Sequence, residues 1–140
     1  MKRNKDWLQE HCPCGRTDSK GQTLLGAQCC GRYLDHYMDV GAPDAESLMR
    51  SRYTAFVLGR NAYLLATWHP DHRPATLELE SGVQWLGLEV RGFRVVDEDH
   101  AEVEFVARSR WQGRATRLHE RSRFVRDPDG RWVYVDGDML

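Results

Sequence analysis

Between residues 45 and 58 the apolar side chains fall at Leu48, Met49, Tyr53, Phe56 and Val57, the three-and-four spacing of one helix face. Asp44 stands where an N-cap is wanted, Glu46 and Ser47 occupy the first turn, and Gly59 follows the last periodic residue as a C′ glycine. Val40-Gly41-Ala42-Pro43 marks a boundary in front of this segment. The pattern predicts a helix over 45–58 and a shorter one over 61–68, closed by His69-Pro70. Beyond Ser81 the period drops to two. Four runs, 83–96, 101–112, 115–126 and 131–136, alternate as strands do. Asp97-Glu98-Asp99, Gln112-Gly113 and Asp127-Pro128-Asp129-Gly130 join them as hairpins. Helices followed by a meander of long antiparallel strands define an α+β class, with helices packed on a curved antiparallel sheet.

Several polar residues break this pattern on the side where apolar ones belong. Arg52 lies inside the helix stripe, four residues from both Leu48 and Phe56. In the third strand the phase of Leu118 and Phe124 also carries Glu120 and Ser122, while His119, Arg121 and Arg123 face solvent. A buried guanidinium needs a partner, and an Arg52–Glu120 pair is the economical solution. The last strand places Trp132, Tyr134 and Asp136 on one side; the second turns Val103, Phe105, Ala107, Ser109 and Trp111 inward. Its outward Glu102, Glu104, Arg108 and Arg110 form a solvated face able to pair with Arg121 and Arg123.

The inward polar set supports two readings. One is a buried ion pair locking helix to sheet. The other is a polar-floored pocket with aromatic walls, whose candidate residues are Arg52, Tyr63, Trp68, His69, Glu120, Ser122, Tyr134 and Asp136. In that reading Arg52 fixes an anion, Glu120 or Asp136 acts as acid or base, His69 carries a proton, and Trp68 and Tyr134 are walls. His69 equally suits a charge set against a helix C-terminus. No nucleophile elbow, Walker loop, dinucleotide fingerprint or HExxH is present, so no reaction is assigned.

The four cysteines form two close pairs, Cys12-Pro13-Cys14 and Cys29-Cys30, and each pair can present two thiolates from one tight turn. Glycines at 15, 21, 26 and 31 punctuate this segment as turns. Adjacent cysteines make a strained disulfide, which disfavours a Cys29–Cys30 bond. With a cytoplasmic setting as the default, metal ligation by Cys12, Cys14, Cys29 and Cys30 is favoured, and Zn²⁺ is the expected cofactor; reduced, redox-active thiols are the alternative. His11 and His36 flank the cluster and could substitute as ligands, though they read more readily as surface histidines, and Arg16, Lys20 and Arg32 lie near enough to offset its charge.

At 140 residues the chain is long enough to bury a core without disulfides. Lys and Arg total 20 against 21 Asp and Glu, which argues against nucleic-acid binding over the whole surface and leaves room for a local basic patch. No apolar run approaches a membrane span, and the N-terminal stretch lacks the apolar core of a signal peptide.

The chain resembles the YchJ family of uncharacterised bacterial proteins. The matching segments are CPCG at 12–15, CCG at 29–31, LMRSRYTAFV at 48–57, YLLATWHP at 63–70 and WLGLEV at 85–90. FVARSR at 105–110, ERSRF at 120–124 and YVDG at 134–137 complete the series. The resemblance implies a SEC-C-type zinc motif over 1–39 and, over 40–140, the cone-shaped fold of nuclear transport factor 2, which hosts enzymes and interaction modules alike. The SEC-C motif of the translocation motor SecA contacts its chaperone SecB and ribosomes. A protein or ribosomal partner docked through the knuckle is therefore the first functional expectation, and a small-molecule binder or enzyme using the cone interior is the alternative. No sequence-specific nucleic acid and no membrane partner is expected. Two departures stand out. The fourteen residues between Cys14 and Cys29 exceed the SEC-C spacing, and the second cysteine motif that many relatives carry after the cone is absent from this sequence.

Overall fold

The computed structural model describes residues 6–36 and 39–140. Residues 1–5 and 37–38, which fall in the expected zinc-binding segment, lie outside the described residues. Two 3₁₀ turns (Asp6–Gln9 and Gly26–Gln28) and a single helical turn, α1 (Gly31–Leu34), surround the cysteines. Then follow α2 (Ala45–Leu58) and α3 (Asn61–Ala66), and four strands: β1 (Gln84–Asp97), β2 (His100–Trp111), β3 (Arg114–Arg126) and β4 (Trp132–Met139).

Helix α2 has the ends expected of it. The Asp44 carboxylate accepts from the Ser47 backbone N–H at 2.7 Å, and Gly59 takes the left-handed conformation (φ 74°) that ends the helix. Helix α3 stops two residues earlier than the 61–68 expectation. Trp68 instead forms a parallel bridge to Tyr134, with Tyr134 N–H donating to Thr67 O (2.8 Å) and His69 N–H to Tyr134 O (2.7 Å). The free edge of β4 outcompetes the last helical turn, because it offers unpaired backbone groups that would otherwise face water.

The strands form one antiparallel meander in the order β1-β2-β3-β4. Register shifts interrupt β1 between Trp85 and Gly87, Val90 and Gly92, and Val95 and Asp97, and such bulges bend a sheet and raise its twist. The curved sheet turns its concave face to α2. Leu48, Met49 and Tyr53 of the helix and Val103, Phe105, Ala107 and Phe124 of the sheet belong to one buried core, which continues without a break into the four cysteines.

A further shift, between Arg123 and Phe124 of β3, corrects the reading of the last strand. Phe124 pairs with Tyr134, but Arg123 pairs with Asp136. The extra residue, Val135, inverts the phase, so Asp136 sits on the convex face and Gly137 opposes Ser122 on the concave one. Trp111, expected in the core, is 36% exposed at the end of its strand, its indole N–H donating to Ser81 O at 3.1 Å. On the convex face Glu104 meets His119 (2.8 Å) and Arg121 (3.5 Å), while Arg123 turns to Asp136 (2.6 Å) and Asp138 (2.8 Å). Among the described residues no helix is long and apolar enough to cross a membrane.

Candidate metal centre and interior cavity

The fourteen residues between the cysteine pairs fold as a small hairpin. Cys12 N–H donates to Leu24 O (2.8 Å) and Leu24 N–H to Arg16 O (2.9 Å), with bridges His11↔Leu25 and Thr17↔Thr23. The Asp18 carboxylate closes the tip by accepting from the backbone N–H groups of Lys20 (2.8 Å) and Gln22 (3.0 Å). This hairpin returns the chain to Cys29 and Cys30, at the turn between Gly26–Gln28 and α1. All four thiols are buried, and their sulfurs lie within 4.8 Å of one another.

Tetrahedral coordination with metal–sulfur bonds of about 2.3 Å needs sulfurs about 3.8 Å apart, and Cys14 and Cys29 Sγ stand 3.5 Å apart. Four buried thiols this close share protons. The hydrogen bond with Cys14 draws Cys12 far below an ordinary thiol, while Cys12 in turn pushes Cys29 and Cys30 well above it. A cation in their midst removes that conflict by stabilising all four thiolates together. The arrangement fits a soft metal ion with a closed, all-sulfur shell. His11 and His36 do not join it; the only metal-holding group among the described residues is the four cysteines.

The cluster is fastened to α2. Thr54 Oγ1 donates to Cys30 Sγ (3.4 Å) and lies 3.8 Å from Cys12 Sγ. Arg50 Nη1 donates to Cys14 O at 3.0 Å, and Arg16 Nη1 to Ser47 Oγ at 2.9 Å. Thr54 escaped the sequence reading because it lies off the apolar stripe. Its only signal was a small hydroxyl residue, two positions past Arg52, on a helix with two buried sides.

On its other side α2 faces an interior cavity of about 240 Å³. Met49, Tyr53 and Phe56 contribute from α2, Trp85 from β1, and Phe105, Leu118 and Phe124 from β2 and β3, while Arg52, Trp68, Glu120, Ser122 and Tyr134 supply the polar atoms. Arg52 is 6% exposed. Its Nη1 donates to Leu64 O and Thr67 Oγ1, both at 2.7 Å, and its carbon lies 5.2 Å from the Trp68 ring centre and 4.8 Å from that of Tyr134. Burial draws the guanidinium down to about 10.

The expected Arg52–Glu120 ion pair does not form: no contact within 4.0 Å joins the two. Glu120 Oε2 instead accepts from Ser122 Oγ and from Tyr134 Oη, the latter at 3.2 Å. Arg52 and Glu120 therefore share a cavity and a tyrosine, since the ring under the guanidinium carries the hydroxyl on the carboxylate. Both residues lie on the inward faces that their periodicity dictates. The Leu64 carbonyl and the Thr67 hydroxyl, presented where α3 ends, are closer partners for the guanidinium than Glu120 is.

Three other candidates lie elsewhere. Tyr63 is buried behind α2, its hydroxyl 2.7 Å from Ser51 Oγ. His69 lines a separate surface groove with His100 and Arg123, and its Nδ1 accepts from Asp71 N–H at 3.1 Å. Asp136 pairs with Arg123 on the convex face through the β4 phase inversion. Trp85 is the wall that sequence reasoning missed, its ring 5.5 Å from Tyr53 and 5.9 Å from Phe56. The alternation of Trp85 with Leu88 and Val90 across a glycine carried that signal.

Residues 44–137 match the family model described as "YchJ, middle NTF2-like domain". A UPF0225 protein of Polaromonas sp. strain JS666 is 62% identical over 128 residues, covering 91% of each chain. A UPF0225 protein of Chromobacterium violaceum is 49% identical over 140 residues, covering 96% of this chain and 97% of its own. Among solved structures, a sec-c motif containing protein from Psychrobacter arcticus superposes with a TM-score of 0.76 at 30% identity, over 93% of this chain and 82% of that one. Matched across the cone, and nearly end to end by these relatives, the chain belongs to the YchJ (UPF0225) family, with an NTF2-like α+β domain and an N-terminal four-cysteine cluster.

Proposed function

We propose that this protein binds a small, largely apolar organic ligand in the cone, and that the cysteine cluster holds Zn²⁺ as a structural fastener for the helix that lines the site. The single observation that supports the reading is Arg52: a guanidinium 94% buried, stacked between two aromatic rings, beside a cavity that the surrounding side chains do not fill. Leu64 O and Thr67 Oγ1 take its Nη1, but no carboxylate among the described residues lies within 4.0 Å to neutralise the charge, which suits a polar or anionic ligand group at this end of the cavity. About 240 Å³ suits one or two fused rings with a polar group set toward Arg52 or Glu120.

A protein- or ribosome-docking role for the knuckle would draw on the basic side chains around it, and two of the three nearest are engaged internally. Arg16 binds Ser47 and lies 4.0 Å from Glu46; Arg32 Nε donates to Cys29 O at 3.0 Å. That use of charge favours a knuckle serving its own fold.

Thermal-shift screening of small aromatic and aliphatic acids, amides and amines tests the ligand reading on wild type and on Ala107→Leu, which narrows the cavity. A true ligand at about 100 times its Kd stabilises by about 2.7 kcal/mol, a shift of roughly 10 °C. Ala107→Leu abolishes that shift. Equal shifts in both proteins would place the ligand elsewhere. For the metal, mass spectrometry on protein purified without chelator finds about one zinc per chain; four titratable thiols and no metal refute the fastener.

A further inference from the structure

Arg52 has one edge of its guanidinium left over. Nη1 donates to Leu64 O and Thr67 Oγ1, which uses the hydrogens on that nitrogen. The Nε–Nη2 edge meets no acceptor among the described residues. It is not sealed off either. The fully enclosed nitrogens without a partner are those of Trp7, Arg60, Trp68 and Trp132, so this edge opens to the cavity that Arg52 lines. Burial lowers the guanidinium only to about 10, and it stays charged at neutral pH. The negative charge in the same cavity is already committed. Glu120 Oε2 accepts from Ser122 Oγ and Tyr134 Oη, two hydroxyls that solvate it in place of water.

We infer that the ligand is an aromatic monocarboxylate of one or two fused rings, its carboxylate laid side-on against the Nε–Nη2 edge of Arg52; this rests on the ligand reading above and gives it a chemical class. Nε and Nη2 are parallel donors that match the two oxygens of a carboxylate, and an amide or an alcohol meets them only in part. The body of the ligand follows from the walls. Tyr53, Phe56, Trp85, Phe105 and Phe124 line the cavity, and aromatic side chains pack on another ring through offset and edge-to-face contacts. A cavity of about 150 Å³ holds benzene. The 240 Å³ here leaves room for the carboxylate and a second ring.

Glu120 sets the limit on charge. It lines the cavity with Arg52 but does not pair with it, so Arg52 receives the first negative charge of a ligand and a second one is left facing a carboxylate. Among mostly apolar walls that repulsion is poorly screened. Dianions such as phosphate monoesters are therefore refused. A cationic amine fares no better, since it finds Glu120 Oε2 already taken by two hydroxyls and leaves the open edge of Arg52 unmet.

The test is isothermal titration calorimetry of the full chain with naphthoate, naphthamide, naphthylmethylamine and naphthyl phosphate at about pH 8, where the phosphate is a dianion. Naphthoate binds about tenfold or more tightly than naphthamide, and the amine and the phosphate bind more weakly still. Ala107→Leu, which narrows the cavity, abolishes binding. Arg52→Lys keeps a charge but loses the fork, and it brings naphthoate down to the affinity of the amide. Glu120→Gln keeps an acceptor for Ser122 and Tyr134 while removing the charge, and naphthyl phosphate then gains about tenfold. The ligand series runs on the unaltered protein, so if Arg52→Lys fails to fold, naphthoate against naphthamide still decides. Naphthamide, the amine or the phosphate binding as tightly as naphthoate, with Ala107→Leu abolishing it, overturns the inference and leaves the ligand reading standing. Binding of none of the four, or binding that Ala107→Leu leaves unchanged, overturns both.

Discussion

Tyr134 is the residue through which the cavity's two charges communicate. Its ring carries the Arg52 guanidinium and its hydroxyl holds Glu120. Tyr134→Phe removes the hydroxyl alone and should cost about 1.5–3 kcal/mol, the range for a hydrogen bond to a charged group. Tyr134→Leu also removes the stacked face, adding about 0.5–2 kcal/mol. Urea denaturation of the pair separates the contributions, and equal losses would mean the ring contact carries nothing. Burial also raises the tyrosine phenols: Tyr53 to about 12, with Tyr63 and Tyr134 pushed further up. Below pH 10 these groups are protonated whether the chain is folded or not, so their contribution to stability is complete. Above pH 10 the unfolded chain alone ionises, and stability falls as pH rises through the folded values. Phenolate absorbance should therefore show Tyr53, Tyr63 and Tyr134 lagging free tyrosine until the chain unfolds; their ionisation near pH 10, with the fold intact, would contradict this.

Among the elements, α2 does two jobs. One side lines the cavity through Met49, Arg52, Tyr53 and Phe56, and the other holds the cysteines through Arg50 and Thr54. Its stability is set partly at its start, where Asp44 caps Ser47. Asp44→Ala should cost about 1 kcal/mol and Asp44→Asn only a few tenths, since asparagine caps nearly as well. Chemical denaturation resolves the two, and equal losses would trace the effect to charge rather than to the cap. Strand β4 shows how one inserted residue redirects chemistry. The inversion at Val135 sends Asp136 to Arg123 and brings Gly137 against Glu120, where any Cβ would collide with the carboxylate. Close packing of that backbone helps to hold Glu120 in place.

At the scale of the whole molecule, one core runs from the cysteines through α2 to the sheet. The sheet is held by its own ladder and by long-range pairing, whereas residues 12–34 depend on the cluster for closure. Chelation should therefore abolish hydrogen-exchange protection over 12–34 and loosen the face of α2 that bears Thr54, while β2 and β3 stay protected. Simultaneous loss of protection in the sheet would make the metal a condition for the entire fold. The strongly periodic parts were legible in the sequence: α2 residue for residue, four strands in order, and two cysteine pairs that come together as one buried cluster. The same pattern placed Arg52, Glu120, Ser122, Trp68 and Tyr134 where a common cavity forms, and it misplaced Tyr63, His69 and Asp136.

The division follows from the range of the forces. Helix capping, side-chain alternation and cysteine spacing act over a few residues, so the chain alone determines α2, the meander and the closeness of the thiols. A β-bulge reverses the phase of every residue beyond it, and nothing near Val135 announces one, so only the assembled sheet decided the fate of Asp136. The shorter α3 had the same origin: the open edge of β4, far away in sequence, captured Thr67 and His69 and exposed the acceptors that took Arg52 from Glu120. Competition between near and distant hydrogen-bond partners is settled only when both are present, and that is a property of the tertiary structure.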